Sequence, residues 1–180
     1  LLVLDEIQAG FGRTGTLWAF EQFGIVPDIL LLGKALGGGM PLGAFIASRD
    51  RMWTLTSNPV LGHITTFGGH PVCCAAGLAA MQALLDEGMI ESVARKSALM
   101  QSEFRHPLVK DIRAAGLLMA VEFDSFDTNK KVLDRCLEKG LLSDWFLFAP
   151  ECMRIAPPLV ITEDQIRQAG KLFREACDAV

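Results

Sequence analysis

The apolar positions along this chain change character near residue 87. Before it, hydrophobic residues come in short unbroken runs. Leu1–Leu4 is one, Ile29–Leu32 a second, and Gly43–Ala47 a weaker third. Continuous apolar runs of this length suit strands covered on both faces, as in a parallel α/β sheet. Glycine and proline punctuate the connections at Gly10, Gly12, Gly15, Pro27, Gly37-Gly38-Gly39, Pro41, Gly68-Gly69 and Pro71. Val72–Leu85 is apolar or small nearly all round, the pattern of a helix buried on most sides. Composition shifts at Asp86-Glu87-Gly88. Beyond it, Met89–Phe104 reads as an amphipathic helix and Ile112–Phe123 as one or two strands broken near Gly116. Asn129–Lys139 reads as a helix stopped by Gly140, and Asp144–Phe148 and Met153–Ile155 as further strands. Thr162 and Gln165 form a T-x-x-Q capping box, after which Ile166, Ala169, Leu172, Phe173, Ala176 and Val180 fall on one helical stripe. Two domains are expected: residues 1–87, α/β, and 88–180, smaller and α+β.

Composition narrows the function. The chain has 180 residues, 51% apolar and 21% charged, with a net charge of -4. That excludes intrinsic disorder, and the mild acidity argues against nucleic acid as a partner. Mean hydropathy is positive, but the longest fully apolar runs are four or five residues against the roughly 20 of a membrane span. No membrane association is expected. The apolar excess belongs in a deep interior or an interface. The chain opens on Leu, in what reads as mid-strand, with no presequence. A piece of a longer protein is therefore expected. Five cysteines, an odd number without a C-x-x-C pair, read as reduced, buried thiols in a cytoplasmic protein.

Two strand ends carry candidate chemistry. The first run delivers Asp5 and the second Gly33-Lys34, 29 residues apart, about the length of one strand–crossover–strand unit. Ligands of open α/β sheets bind off the carboxyl ends of strands, so a carboxylate and an amine would share one crevice. The plainer reading is a polar loop at Asp5 and a solvated lysine at 34. The following Gly37-Gly38-Gly39 lets backbone approach a ligand or neighbouring chain closely. A lysine in an apolar, partly desolvated site has its charged form disfavoured, and the neutral amine can form a Schiff base with an aldehyde. A buried carboxylate can keep a pyridine nitrogen protonated. Asp plus Lys at two strand ends is what pyridoxal phosphate chemistry requires. The competing P-loop reading of Leu1–Glu6 as a magnesium-binding strand lacks G-x-x-x-x-G-K-[ST], since Ala35 follows Lys34 and residue 28 is Asp. His63, His70 and Cys73 or Cys74 lack a fourth ligand, so no metal is expected.

The sequence resembles the class III pyridoxal-phosphate-dependent aminotransferases, the acetylornithine, ornithine and 4-aminobutyrate group. The resemblance is carried by Leu4–Gly15 (LDEIQAGFGRTG), Pro27-Asp28-Ile29, Gly33–Gly39 (GKALGGG), Thr66–Pro71 (TFGGHP) and Arg154–Leu159 (RIAPPL), in family order over nearly the whole chain. It implies the later part of a fold-type-I large domain, then the small C-terminal domain. It implies ping-pong transfer of an amino group from an amine or amino acid to a 2-oxo acid such as 2-oxoglutarate, in a homodimer with its site at the subunit interface. By resemblance, Asp5 would pair with the pyridine nitrogen, and Gln8 would hydrogen-bond the ring hydroxyl or pack on the ring. Lys34 would carry the Schiff base and shuttle the proton. Thr66 would reach the cofactor phosphate of the opposite subunit. Arg154 would meet a substrate carboxylate or an acidic side chain of the site. Thr66 could instead cap the helix near Pro71, Arg154 could be a structural ion pair, and Arg13 could order the segment after Asp5.

Relatives often have Asn at position 70, and Arg-Gly-x-Gly where this chain has Arg113-Ala114-Ala115-Gly116. The family's phosphate-binding loop and its ring-stacking aromatic precede the Asp strand, which implies an enzyme of roughly twice this length. An aminomutase of the same fold, and a non-catalytic dimerising role, are the alternatives.

Overall fold

The computed structural model describes residues 1–180, and in it the three apolar runs of the first half become three short strands. β1 is Val3–Asp5, β2 Ile29–Leu32 and β3 Ala44–Ala47, in the order β1-β2-β3. β1 and β2 are parallel, with Val3 opposite Ile29 and Asp5 opposite Leu31. β2 and β3 are antiparallel, so the sheet is mixed rather than wholly parallel. The cause is length. The stretch from Gly33 to Gly43 is too short for the crossover that a parallel neighbour requires. A short helix α1 (Arg49–Trp53) follows β3, and after a long loop comes α2 (Pro71–Asp86).

These elements lie in a unit made of Leu1–Gly12 and Thr16–Ile90. Burial is the second departure from expectation. β2 is the covered strand, with Leu30 and Leu32 buried, whereas Val3, Phe45 and Ile46 stand about half exposed. α2 buries Cys73, Gly77 and Leu84 and leaves Val72, Leu78 and Leu85 open. The helix is present, but this chain covers only one side of it. Cys74 is exposed on that open side, contrary to the expected burial, while the other four thiols are buried and all five are free.

The second unit comprises Arg13–Gly15 and Glu91–Val180. Its strands β4 (Asp111–Ala115), β5 (Leu118–Glu122), β6 (Asp144–Phe146) and β7 (Ala149–Ile155) form an antiparallel sheet of order β4-β5-β7-β6. Helices α3 (Val93–Glu103), α4 (Phe126–Glu138) and α5 (Glu163–Cys177) complete it. The core interleaves Val93 and Met100 of α3, Met119 and Val121 of β5, Val132 of α4, and Ile166 and Phe173 of α5. α5 starts where the capping box placed it: Gln165 N–H donates to Thr162 Oγ1 at 3.2 Å and Thr162 N–H to Gln165 Oε1 at 2.9 Å. α4 starts three residues earlier than the pattern suggested. Ser125 Oγ accepts from Thr128 N–H at 3.2 Å and caps it. The expected strand to Phe148 ends at Phe146, because Leu147 and Phe148 turn the β6–β7 hairpin with Phe148 fully exposed. No single helix is long and apolar enough to cross a membrane.

Candidate active site

The first unit places Asp5 and Lys34 at the same end of adjacent parallel strands. Asp5 closes β1 opposite Leu31, and Lys34 follows β2 by two residues, opening a single 3-10 turn, Lys34–Gly37. Asp5 is exposed, and its Oδ1 accepts the Ile7 N–H at 2.8 Å, which fixes one carboxylate oxygen in a local turn. Glu6 points to the other side. It is 3% exposed, and its two oxygens accept the N–H groups of Ala19 and Phe20 at 3.0 and 2.9 Å. The two neighbouring acids therefore differ: Asp5 is exposed at the strand end, and Glu6 caps the start of Ala19–Phe23.

Lys34 has φ +45°, a left-handed backbone that a non-glycine residue holds only when its surroundings impose it. The surroundings are α2. A Cβ on Gly38 would lie 2.5 Å from the Ala76 carbonyl oxygen, and one on Gly77 would lie 2.4 Å from the Leu36 carbonyl oxygen. The glycine run is therefore used for close approach, and what it approaches is the helix of its own chain. Lys34 itself is exposed, so this chain does not supply the expected apolar cover. Gln8 is exposed in the turn after β1. Thr66 is exposed in the loop before α2 and does not cap that helix. The cap is His70, whose Nδ1 accepts the Val72 N–H at 3.3 Å. Imidazole here does the work an asparagine would do, which accounts for the departure at position 70.

Arg154 lies in the second unit, on β7. Its Nε donates to Asp144 Oδ1 at 2.8 Å and an Nη to Asp144 Oδ2 at 2.6 Å. This two-pronged pair raises the guanidinium's affinity for its proton. Ser143 Oγ donates to the Arg154 carbonyl at 2.7 Å. The pair borders a cavity of about 480 Å³ otherwise walled by Leu141, Leu142, Ile155 and Pro157. Arg154 is thus in an ion pair, one of the readings open to it, and Asp144 is a partner that the sequence did not offer. Its relation to Arg154 depends on the β6–β7 register, in which the two residues are direct partners.

The β4–β5 hairpin keeps its pairing through the departure at Arg113–Gly116. Gly116, at φ +58°, makes the β4–β5 turn, while Ala114 sits within β4 opposite Met119.

Residues 1–177 match the family model for aminotransferase class III. The chain belongs to this family. It is 40% identical to the acetylornithine aminotransferase of Caldanaerobacter subterraneus subsp. tengcongensis over 185 residues, covering 100% of this chain and 45% of that protein. The ornithine aminotransferase of Toxoplasma gondii superposes with a TM-score of 0.88 at 38% identity, over 100% of this chain and 43% of that one. The acetylornithine aminotransferase of Elizabethkingia anophelis gives 0.88 at 34%, over 100% and 46%. The class III chain described here is a partial fold-type-I structure, spanning less than half the length of these relatives.

Proposed function

We propose that this class III chain is the Lys-bearing part of a pyridoxal-phosphate-dependent aminotransferase. It would move an amino group from an ornithine-, acetylornithine- or 4-aminobutyrate-like donor to a 2-oxo acid such as 2-oxoglutarate, alternately in ping-pong fashion. The observation that carries this is that Lys34 and Asp5 stand at the same ends of two paired parallel strands. The residues fit the cofactor's demands: a primary amine for an aldehyde, and an anion for a protonated ring nitrogen.

Pyridoxal phosphate, when bound, supplies the aldehyde and an electron-accepting ring. The chain's own part is to bind, orient and move protons. Asp5, with Oδ1 tied by the Ile7 N–H, presents a fixed anion. Lys34 Nζ would hold the cofactor, then, once released by the incoming amine, take the proton from the donor carbon that bears the amino group and return it to the cofactor's aldehyde carbon, across the nitrogen between them. Such proton transfer contributes about 10²–10⁴-fold. Gln8 would hydrogen-bond the cofactor's hydroxyl or pack on its ring, and Thr66 would reach the phosphate bound by the opposite subunit of a homodimer. Arg154 would receive the oxo acid's carboxylate. Free thiols support the cytoplasm as its compartment.

Borohydride reduction of the full-length enzyme with pyridoxal phosphate, followed by peptide mapping, tests the reading. The fixed cofactor is expected on Lys34 and absent from Lys34→Ala; fixation on another lysine would refute the assignment. Asp5→Asn should retain the fixation and lower amino transfer about 10²–10³-fold, as for loss of other preorganised electrostatic groups.

A further inference from the structure

Arg154 is the penultimate residue of β7, and the chain that follows it has little of its own to hold it. The β5–β7 ladder ends at Ile155, opposite Met119. Next come Ala156-Pro157-Pro158-Leu159. Two prolines donate no N–H to any sheet, and each restricts the residue before it to extended backbone. The strap is stiff but unladdered. Its carbonyls still need donors.

Two cations supply them. Arg13 Nη1 donates to the Pro157 carbonyl and, at 3.2 Å, to the Leu117 carbonyl. Lys96 of α3 donates from Nζ to the Leu159 carbonyl at 2.6 Å. Between them, Pro158 accepts the Ile161 N–H at 3.0 Å. Arg13 is itself anchored, because the Leu117 N–H donates back to its carbonyl at 2.8 Å. Gly116 permits this: a Cβ there would lie 2.5 Å from the Arg13 oxygen. The Arg13 guanidinium is half-buried and spends its charge on neutral carbonyls rather than on a carboxylate. A surface arginine has no need of that arrangement; one that fixes a backbone segment does.

We propose that Arg13 and Lys96 are positioning residues, which latch the Ala156–Leu159 strap and so keep Arg154 aligned to receive the carboxylate of the oxo-acid substrate. The inference rests on the aminotransferase reading above. It adds that recognition of the oxo acid's carboxylate depends on two residues that do not touch it.

The test uses the full-length enzyme that contains this chain, loaded with pyridoxal phosphate and its amino donor, with 2-oxoglutarate and butanal as acceptors carrying and lacking a carboxylate. Arg13→Met should raise the KM for 2-oxoglutarate about tenfold, within what a misplacement of about 1 Å can cost, with kcat and the butanal KM within about twofold. Arg13→Lys, which keeps a donor for one carbonyl, should recover part of the loss, and Lys96→Met should show a smaller change of the same kind. In an Arg154→Met background the Arg13 substitution should add nothing, because its effect runs through Arg154. Amide exchange at Ala156 and Leu159 should quicken in both Met variants while Val121 is unchanged. Unchanged exchange, equal KM changes for the two acceptors, or additivity with Arg154→Met would each overturn the latch. If the unsubstituted full-length enzyme transfers no amino group, the aminotransferase reading fails instead, and the exchange arm alone decides whether the latch exists.

Discussion

The two units carry similar shares of apolar residues and treat them in opposite ways. The second wraps its sheet with three helices, and Val93, Leu117, Val121, Val132, Ile166, Phe173 and Ala176 are all fully buried. Its thiols record the dryness: burial pushes Cys136 up to about 11 and Cys177 up to about 12. The first unit has three short strands and one long helix, and it leaves Leu1, Phe45, Ile46, Val72 and Leu78 in the open. The lesson is that an all-apolar segment specifies that it will be covered, not by what. In the second unit the cover is local and complete. In the first, the chain supplies it on one side only, and that is the unit carrying Asp5 and Lys34.

The largest effect that could break this contrast is a core truncation. Phe173→Ala should cost about 3–5 kcal/mol, whereas Phe45→Ala in the first unit should cost no more than about 0.5 kcal/mol. Urea unfolding followed by segment-resolved amide exchange separates the two, and equal losses would mean that Phe45 is covered after all. Next is Gly116→Ala. A left-handed backbone forced on alanine costs about 1–2 kcal/mol, and here the methyl also meets the Arg13 carbonyl. The expected outcome is a lower second-unit melting temperature together with faster exchange at Leu117. The smallest effect sharpens the first unit's side. The Leu2 N–H, and then Arg51, hold the Asp28 carboxyl below its ordinary range. A depressed carboxylate contributes stability above the unfolded value of about 3.9 and loses it as pH falls through the lower native value. Asp28→Asn should therefore be slightly less stable than the parent at neutral pH. The difference should vanish in acid; a gap that widens below pH 4 would contradict the assignment.

What could be read from the residues alone was whatever is decided within a few positions. The α5 start follows from Thr162 and Gln165, and β2 from Ile29–Leu32. The placement of Asp5 and Lys34 at strand ends followed from the same local runs. Features decided by distant partners were hidden. Arg13 meets a carbonyl 144 residues away, and Asp144 meets Arg154 only through a hairpin whose turn at Leu147-Phe148 reads as strand. The exposure of Cys74 and the open face of α2 were hidden for the same reason, since periodicity reports hydrophobicity and not neighbours. His70 was hidden differently, because imidazole is an uncommon substitute for the amide usually found at such a cap.

The two glycines that bring the 34–37 turn against α2 have a mechanical consequence. With no side chain between them, Gly38 and Gly77 put main chain directly on main chain, leaving no soft layer to yield. The backbone under Lys34 then acts as a fixed post. On the role proposed for Lys34, the travel of the amine between gripping and letting go would come from the swing of its own four methylenes, so reach, rather than a moving loop, would set the stroke.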